Sequence, residues 1–340
     1  MTLIRNEWRL LVLGPTLLLI VLAAIFLGVV NMPPAEVLNV LLGYGSVDAS
    51  LIIGDIRMPR VLTGVLAGIH FALAGLLLQT ITRNPLADPS IMGVSQGATL
   101  AVTIFLFLTV YMFNNDPNIL YRLPVQWLPL VGCVGGGAAG AGVYFLAFRH
   151  GLSPLRVTLC GIAVGAVLHA AAMGVISGWG TARLEIVMQW LSGSLYARSW
   201  DHVLFLVPFT LLGLVALPFM TRPIRLLRFE EDVARSFGLA YRRQFSLVLL
   251  LACGLAASAV GAVGPLIFVG LVVPHLARFI AGPRTSLVMP MTIILGAGLV
   301  TLGDLIGRLV GGPEEIPIGV VTAIGGAPVL LALLRRTVRG

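Results

Sequence analysis

The sequence predicts an all-α integral membrane protein, built as a compact bundle of about ten transmembrane helices. Apolar residues make up 58% of the 340 residues and charged residues only 11%, whereas a soluble domain carries about 25% charged residues. So few charged residues could not cover the surface of a soluble protein. The composition therefore indicates that a lipid bilayer surrounds the chain. Apolar runs of about 20 residues recur along the chain, and inside a bilayer helices satisfy all backbone groups.

The first apolar run follows Arg5 and Arg9. It is longer than the core of a signal peptide, about 7–15 residues, and has no clear cleavage site, so it is interpreted as a membrane helix. The eighth run is short and follows the seventh through Gly264-Pro265, so we expect it to be tilted or partly re-entrant. The predicted spans are Leu10–Val30, Val61–Thr80, Ile91–Phe113, Trp127–Phe148, Val157–Ser177, Val203–Met220, Phe245–Val263, Leu266–Ile280, Val288–Gly307 and Pro317–Leu334.

The distribution of arginine predicts the orientation. All 22 basic residues are arginine, and the net charge is +8. With both termini in the cytoplasm, sixteen arginines lie inside and six outside, which is the asymmetry that the positive-inside rule describes. We therefore predict an N-in, C-in protein whose charge belongs to its loops, with no nucleic-acid partner. The six outer arginines are Arg57, Arg60, Arg122, Arg183, Arg198 and Arg308.

Several kinds of chemistry are absent from the sequence. The chain has no lysine, so it lacks the ATP-binding Walker A loop, and no protease or hydrolase motif is present. Cys133, Cys160 and Cys253 lie inside apolar runs without disulfide or metal spacing. His70 and His169 are interpreted as packed, hydrogen-bonding residues. We therefore expect no catalytic residue, bound metal or bound cofactor in this chain.

Two local patterns predict packing between and within the spans. Asp304 lies near the outer end of the ninth span and can pair with Arg308 one turn later. Small residues four apart allow helix backbones to approach closely. These pairs are Gly64/Gly68, Gly132/Gly136, Gly161/Gly165 and Gly303/Gly307.

Segment 221–244 is the longest polar stretch on the inner side. Its acidic run at 230–232 predicts the start of a short helix, where negative charge suits the helix dipole. Gly238 predicts a left-handed end to that helix. From the residues alone, a solvated connector and a docking element for a cytoplasmic partner are equally open.

Two other loops carry specific expectations. Segment 82–97 is predicted to be a structured turn in which Ser90 caps the third span. In the outer segment 178–202, Trp190 and Trp200 predict a helix lying in the headgroup region.

Six stretches, in order, resemble the permease subunits of the bacterial ABC importers for iron-siderophores, haem and vitamin B12. They are RMPRVLTGVLAG (57–68), LLLQTITRNPLADPSIMGVSQGA (76–98), MQWLSGSL (188–195), EEDVARSFG (230–238), VGPLIFVGLVVPHLARFIAG (263–282) and GDLIGRLVGGPEEIPIGVVTAIGGAPVLLALLRR (303–336). The resemblance covers nearly the whole chain. It implies one transmembrane permease domain (1–340) of the type II ABC importer fold, with 221–244 as its cytoplasmic coupling loop.

The resemblance also implies a function and a set of partners. The chain would move a ferric siderophore across the bacterial inner membrane as a permease subunit, not as an enzyme. A second permease subunit, a paralogue more than an identical copy, would complete the path. Two separate ATPase subunits would use ATP, and a periplasmic or lipid-anchored substrate-binding protein would deliver the cargo.

The family's site residues match particular positions here. Arg57, Arg60 and Arg308 match the arginines that contact carboxylates of the binding protein, a task that suits the bidentate, permanently charged guanidinium. From the residues alone, an anchor at the membrane interface is the alternative for Arg57 and Arg60. The coupling contact with the ATPase matches Glu231, Ala234 and Gly238, and the cytoplasmic gate would include Asn84, Pro85, Ser153 and Pro154.

The WLSGSL stretch (190–195) and the overall pattern look most like the siderophore branch, and within it the ferric-catecholate permeases. Haem or vitamin B12 is the alternative within the family. An ion-coupled carrier and a multi-span membrane enzyme are the alternatives from other classes. The enzyme is disfavoured because no catalytic constellation is present.

Overall fold

A computed structural model of the chain describes residues 7–112, 125–149, 153–178, 188, 190–282 and 285–338. This described part is helical and contains no β-strand. Its elements are α1 (Glu7–Phe26), α2 (Pro34–Leu41), α3 (Val47–Ser50), a π-helix (Leu51–Arg57), α4 (Met58–Ile81), α5 (Val94–Leu106), a second π-helix (Phe107–Met112), a 3-10 turn (Val125–Trp127), α6 (Leu128–Arg149), α7 (Pro154–Ser177), α8 (Trp200–Leu226), α9 (Glu231–Ser236), α10 (Tyr241–Val263), α11 (Val269–Ala281), α12 (Thr285–Gly311), a 3-10 turn (Gly312–Glu314) and α13 (Ile318–Val338).

Each of the ten predicted spans contains an apolar helix. Within the described residues, seven helical segments are long and apolar enough to cross a membrane, and three shorter apolar helices, in α5, α11 and α13, occupy the other predicted spans. The predicted helical bundle is therefore confirmed. The terms outer and inner below refer to the predicted N-in, C-in orientation.

The centre of the bundle is formed by α4 and α10. Most of α4 and α10 is buried, whereas only a small share of α1, α7 and α8 is buried. Two large apolar clusters of buried side chains include residues of both central helices, such as Leu73 and Phe71 from α4 and Phe245 and Val260 from α10. The exposed helices carry apolar side chains outward, as a surface facing lipid requires.

Small residues allow the backbones of neighbouring helices to touch. A Cβ atom on Gly68 would lie 2.3 Å from the carbonyl oxygen of Gly296, and one on Gly132 would lie 2.8 Å from Cα of Gly261. The close approach predicted at these positions is confirmed. The tightest contact joins α4 to α11, where a Cβ atom on Gly75 would lie 1.8 Å from the carbonyl oxygen of Gly270.

Helix α11 is short, as the sequence predicts for the eighth span. Its 13 residues extend about 20 Å at 1.5 Å per residue, less than the roughly 30 Å of a bilayer core. The chain between α10 and α11 is not α-helical and includes two left-handed residues, Gly264 (φ +80°) and Phe268 (φ +72°). The helical part of this span therefore covers only part of the membrane thickness.

Three segments meet through their main chains at the outer side, and we call this contact the outer junction (residues 193–195, 263–265 and 316–319). The Ser194 amide donates to the Val263 carbonyl at 2.8 Å, and the Gly319 amide donates to the Gly193 carbonyl at 3.4 Å. The junction therefore joins the loop before α8, the end of α10 and the start of α13.

The two outer tryptophans differ from each other. Trp190 is buried in an apolar cluster, so its predicted headgroup position is wrong. Its carbonyl oxygen lies 2.4 Å from where a Cβ atom on Gly264 would be, which shows how closely these segments pack. Trp200 is partly exposed, and its indole donates to the Gly54 carbonyl at 3.0 Å. Much of the predicted interfacial helix, residues 179–187, lies outside the described residues.

The inner loop between α4 and α5 turns into the bundle. Asp88 is buried and accepts hydrogen bonds from the amide and hydroxyl of Ser90 at 2.9 and 2.7 Å. The prediction that Ser90 caps the third span is wrong, because α5 begins at Val94 and its N-cap is Gly93 in a left-handed conformation. Ser90 is bound to Asp88 instead. Asp88 Oδ2 would lie 3.0 Å from a Cβ atom on Gly270.

Candidate docking and coupling sites

The inner segment after α8 forms the short helix that the sequence predicts. Helix α9 begins at Glu231 and ends at Ser236. The Gly238 amide donates to the Arg235 carbonyl at 2.8 Å, and Gly238 has φ +77°, so its predicted left-handed conformation is confirmed. Glu231 and Arg235 form an exposed ion pair one turn apart. These contacts hold α9 as a compact knob at the inner end of the bundle.

The two faces of α9 differ in exposure. Ala234 is completely buried and packs within the apolar cluster that includes Leu239. Phe229, Val233 and Phe237 are 52%, 42% and 58% exposed. We call these three the coupling stripe. Apolar side chains grouped on a water-facing surface mark a site of protein contact.

The coupling stripe was not predicted from the sequence. Val233 lies in α9 and Phe237 is its C-cap residue, so these two share a face by their spacing of four. Phe229 precedes the helix, so its position depends on the turn before α9, whereas the sequence motif pointed to Ala234. The structure places Ala234 against the permease itself and the stripe outward.

At the outer side, Arg60 lies in a buried ion-pair network. Its guanidinium contacts Asp304 at 2.7 Å and Glu315 at 2.8 Å. Arg308 contacts the other oxygen of Asp304 at 3.0 Å, so the pair predicted one turn apart is confirmed. Arg60, Asp304 and Arg308 are all buried. The network therefore joins α4 to α12 and to the turn after α12.

Two of the predicted docking arginines also cap the C-terminal end of α1. Arg57 donates to the carbonyl oxygens of Ile25 and Phe26 at 2.9 and 3.0 Å. Arg308 donates to the Ala24 carbonyl at 3.2 Å. Cations suit the C-terminal end of a helix, where free carbonyls carry partial negative charge. Arg57 and Arg308 therefore have an internal structural role, and docking through Arg57, Arg60 and Arg308 stays a prediction.

A polar cavity opens beside Arg60. It has a volume of about 300 Å³ and lies between the loop at Ser194–Tyr196 and residues 314–318. Asp304 and Glu315 line it together with Arg60. The outer end of α4 is therefore reached by a small polar cleft, although the guanidinium of Arg60 is itself buried.

A fourth outer arginine, Arg198, lies just before α8 and is also buried. Its Nη1 lies 3.5 Å from Nε2 of His202, and its buried Nε has no hydrogen-bond partner in the parts of the chain that the structure describes. Burial and the nearby positive charge of Arg60 lower the pKa of Arg198 to about 10. Arg198 therefore stays charged at neutral pH, in a site that disfavours its charge.

The residues predicted for the cytoplasmic gate take part in local turns. The side chain of Asn84 accepts from the Leu86 amide at 2.9 Å, and Pro85 is exposed beside it. Ser153 caps α7 by accepting from the Arg156 amide at 3.3 Å, and Pro154 is the first residue of that helix. A role in gating stays a prediction for all four.

The polar residues deep in the bundle form packing contacts. The ring nitrogens of His70 lie 2.9 Å from the Ser258 hydroxyl and 2.7 Å from the Thr210 hydroxyl, so the prediction of a packed histidine is confirmed there. His169 is exposed on α7. Within the described ranges, no group of three or more His, Cys, Asp or Glu side chains could hold a metal ion.

Comparisons with known proteins cover nearly the whole chain. The profile of the FecCD transport family matches residues 16–336. The chain is 32% identical over 335 residues to the iron(3+)-hydroxamate import system permease protein FhuG of Bacillus subtilis (strain 168), covering 98% of each chain. It is 35% identical to the ferric enterobactin transport system permease protein FepD of Escherichia coli (strain K12), covering 96% of this chain and 95% of that one.

A solved structure gives the same result for the fold. It is an ABC transporter of the metal-chelate type in an inward-facing conformation, and it superimposes with a TM-score of 0.83 at 26% identity. The alignment covers 97% of this chain and 99% of that one.

Proposed function

The chain belongs to the FecCD transport family, and from this premise we propose that it is the permease subunit of an ABC importer that moves a ferric siderophore across the bacterial cytoplasmic membrane. The observation that carries the proposal is the end-to-end similarity to permeases of iron-chelate import. These relatives are named for different chelators, so the proposal covers ferric siderophores as a class, and a preference for catecholates stays a prediction.

The energy would come from a separate ATPase at the inner face. The coupling stripe presents three apolar side chains to the cytoplasm, and an apolar ridge of this kind fits a groove on a partner protein. ATP-driven closure of two ATPase subunits would move α9. Because Ala234 of α9 is buried against the bundle, that movement would be passed to the bundle. ATP itself would bind only to those partners.

The cargo would arrive from a periplasmic or lipid-anchored binding protein at the outer face. Arg57, Arg60 and Arg308 lie together there, and their charge would attract an acidic docking surface. A second permease subunit, a paralogue more than an identical copy, would complete the path. The chelator supplies the ligands of the iron, so this chain would need none.

The test is transport by purified components in lipid vesicles. The permease pair, the ATPase and the binding protein co-purified from native membranes would be reconstituted with a radiolabelled ferric siderophore. We expect uptake that requires ATP and the binding protein and that vanadate inhibits. Uptake by this chain without nucleotide or accessory proteins would overturn the proposal.

Competition in the same vesicles tests the cargo. Unlabelled ferric catecholate and ferric hydroxamate should compete with the labelled siderophore, whereas haem and cobalamin should not. Competition by haem or cobalamin alone would place the chain in another branch of the family. Uptake that follows an ion gradient and ignores vanadate would indicate a secondary carrier.

A further inference from the structure

The environment of Arg198 differs from that of the other buried outer arginines. Arg60 and Arg308 contact carboxylates, and Arg57 contacts three main-chain carbonyls. Arg198 is only 8% exposed, yet in the described part of the chain its single hydrogen-bond contact is with the imidazole of His202. Its buried Nε has no acceptor among the same residues. Within the described structure, Arg198 is therefore a buried cation without an anion.

Such a cation is costly unless something compensates for it. Moving a charge out of water is unfavourable unless a partner of opposite charge or several hydrogen bonds replace the water. Arginine cannot escape the cost by losing its proton, since its pKa remains far above neutral even here. A neutral imidazole accepts one hydrogen bond and brings no negative charge, and Nδ1 of His202 already accepts from the Ser199 amide at 3.3 Å. As far as the described residues go, the site therefore lacks an anion.

The surroundings indicate what kind of anion is missing. Two of the exposed residues near Arg198 in the chain are aromatic: Tyr196 is 54% exposed and Trp200 is 38% exposed. Ala197 and Asp201 are exposed there as well. Tyr, Trp and Arg are the residues most enriched where proteins bind one another. Arg60 lies close enough to repel Arg198, so the position belongs to the same outer face as the predicted docking arginines.

The charges of the buried groups around Arg60 favour the same occupant. Arg57, Arg60, Arg198 and Arg308 are four buried guanidiniums, whereas Asp304 and Glu315 are the two carboxylates that pair with them. Among these buried groups of the described residues, the positive charges outnumber the negative ones by two; Glu314, which lines the cavity beside Arg60, is exposed to solvent. An acidic partner would supply the missing charge and, through a carboxylate, two hydrogen-bond acceptors in the geometry of a guanidinium.

We propose that Arg198 is a further docking residue, which takes one carboxylate of the substrate-binding protein between Tyr196 and Trp200. This inference rests on the proposed function. It implies that the free permease retains an unpaired buried charge that docking neutralises. Replacing Arg198 should therefore affect docking and stability in opposite directions.

The test is Arg198→Met, which keeps the aliphatic stem and removes the charge. The permease–ATPase complex in nanodiscs would be titrated with the binding protein co-purified from native membranes. We expect the affinity to fall by about 30-fold or more, as when one partner of a buried charge pair is removed. The Tm of the complex without binding protein should equal or exceed that of the wild type. A purely structural arginine would show a lower Tm.

Two further variants sharpen the test. Arg57→Met serves as a matched control. It leaves the carbonyl oxygens at the end of α1 without their hydrogen-bond donor, so it should lower the Tm. Arg198→Glu should abolish docking, and a Glu→Arg variant at one acidic position of the binding protein should restore it. That rescue would identify the carboxylate.

The outcomes separate this inference from the proposed function. Unchanged affinity in Arg198→Met overturns the inference while leaving the importer intact. Unchanged affinity with lost uptake also overturns it, because the missing anion would then belong to the cargo. A wild-type complex that binds no substrate-binding protein would instead overturn the proposed function.

Discussion

At the scale of single residues, Asp304 is the centre of the outer network. One buried carboxylate is shared by Arg60 from α4 and Arg308 from its own helix. Sequence spacing predicts the contact with Arg308, since the two lie one turn apart on one helix. The contact with Arg60, 244 residues away, depends on the packing of α4 against α12, so no local pattern reveals it.

Removing the charge of Asp304 should destabilise the permease. Breaking a buried ion pair by losing one partner costs about 3–5 kcal/mol, and Asp304→Asn should lie near the lower end because Glu315 still holds Arg60. The measurement is the Tm of the purified complex. Asp48→Asn, at an exposed position in α3, should leave the Tm unchanged. Equal Tm values for the two variants would contradict the network.

A second residue-scale prediction concerns pH. Burial raises the pKa of the Asp88 carboxyl in the inner loop. Its ionised form therefore costs stability, and the wild type should lose stability as the pH rises from about 4, where an unfolded Asp titrates, through the raised pKa.

Asp88→Asn should remove that pH dependence. The amide oxygen still accepts from Ser90 but does not ionise, so the Tm of the variant should exceed that of the wild type at pH 7–8 and approach it near pH 4. Asp88→Ala loses the acceptor for Ser90 and should be less stable than Asp88→Asn. Parallel pH profiles for Asp88→Asn and the wild type would refute this account.

At the scale of elements, the apolar runs predict the positions of the helices well, because each membrane-spanning helix needs an apolar surface about as long as the bilayer core is thick. The sequence places α4, α10 and α12 within a few residues of their observed ends. It fails where a contact between elements decides the position. Trp190 is buried because the segments of the outer junction pack over it, and α5 begins late because Ser90 binds Asp88 and the chain turns at Gly93.

Helix α9 supplies the element-scale prediction. Val233→Asp and Phe237→Asp change exposed positions, so the Tm should hold while ATP hydrolysis no longer drives uptake. Ala234→Asp places a charge in the core and should lower the Tm itself. The measurements are the Tm, the ATPase rate and uptake in vesicles. Normal coupled uptake in both stripe variants would make α9 a simple connector.

A substitution at Gly238, two residues after α9, separates effects on this chain from effects on its partner. Its left-handed φ strains any other residue, but a Cβ atom there would meet nothing within 4 Å in this chain. A bulky replacement should therefore cost this chain little beyond backbone strain. Any greater loss of assembly or coupling would arise in the contact with the partner.

At the scale of the whole molecule, the predicted orientation follows from the arginine count and the ten spans. In that orientation Tyr44 lies outside and Asp232 lies inside. The three native cysteines lie within helices α6, α7 and α10, so a new surface cysteine should be the main site for a membrane-impermeant maleimide.

The orientation can be measured in intact cells. Tyr44→Cys, at a position that is 83% exposed, should react without permeabilisation, whereas Asp232→Cys should react only after it. The unmodified chain gives the background. The reverse labelling pattern would invert the topology and move the docking arginines to the cytoplasm.

The outer junction has an evolutionary consequence. Its bonds run from amide to carbonyl, so they do not depend on which side chains stand at Ser194 or Val263. During evolution, the exposed residues near the junction can therefore change to suit a different substrate-binding protein. The ends of the membrane helices remain joined by the main-chain hydrogen bonds. Recognition and mechanical linkage can therefore diverge at separate rates, although the linkage involves only three short segments of the chain.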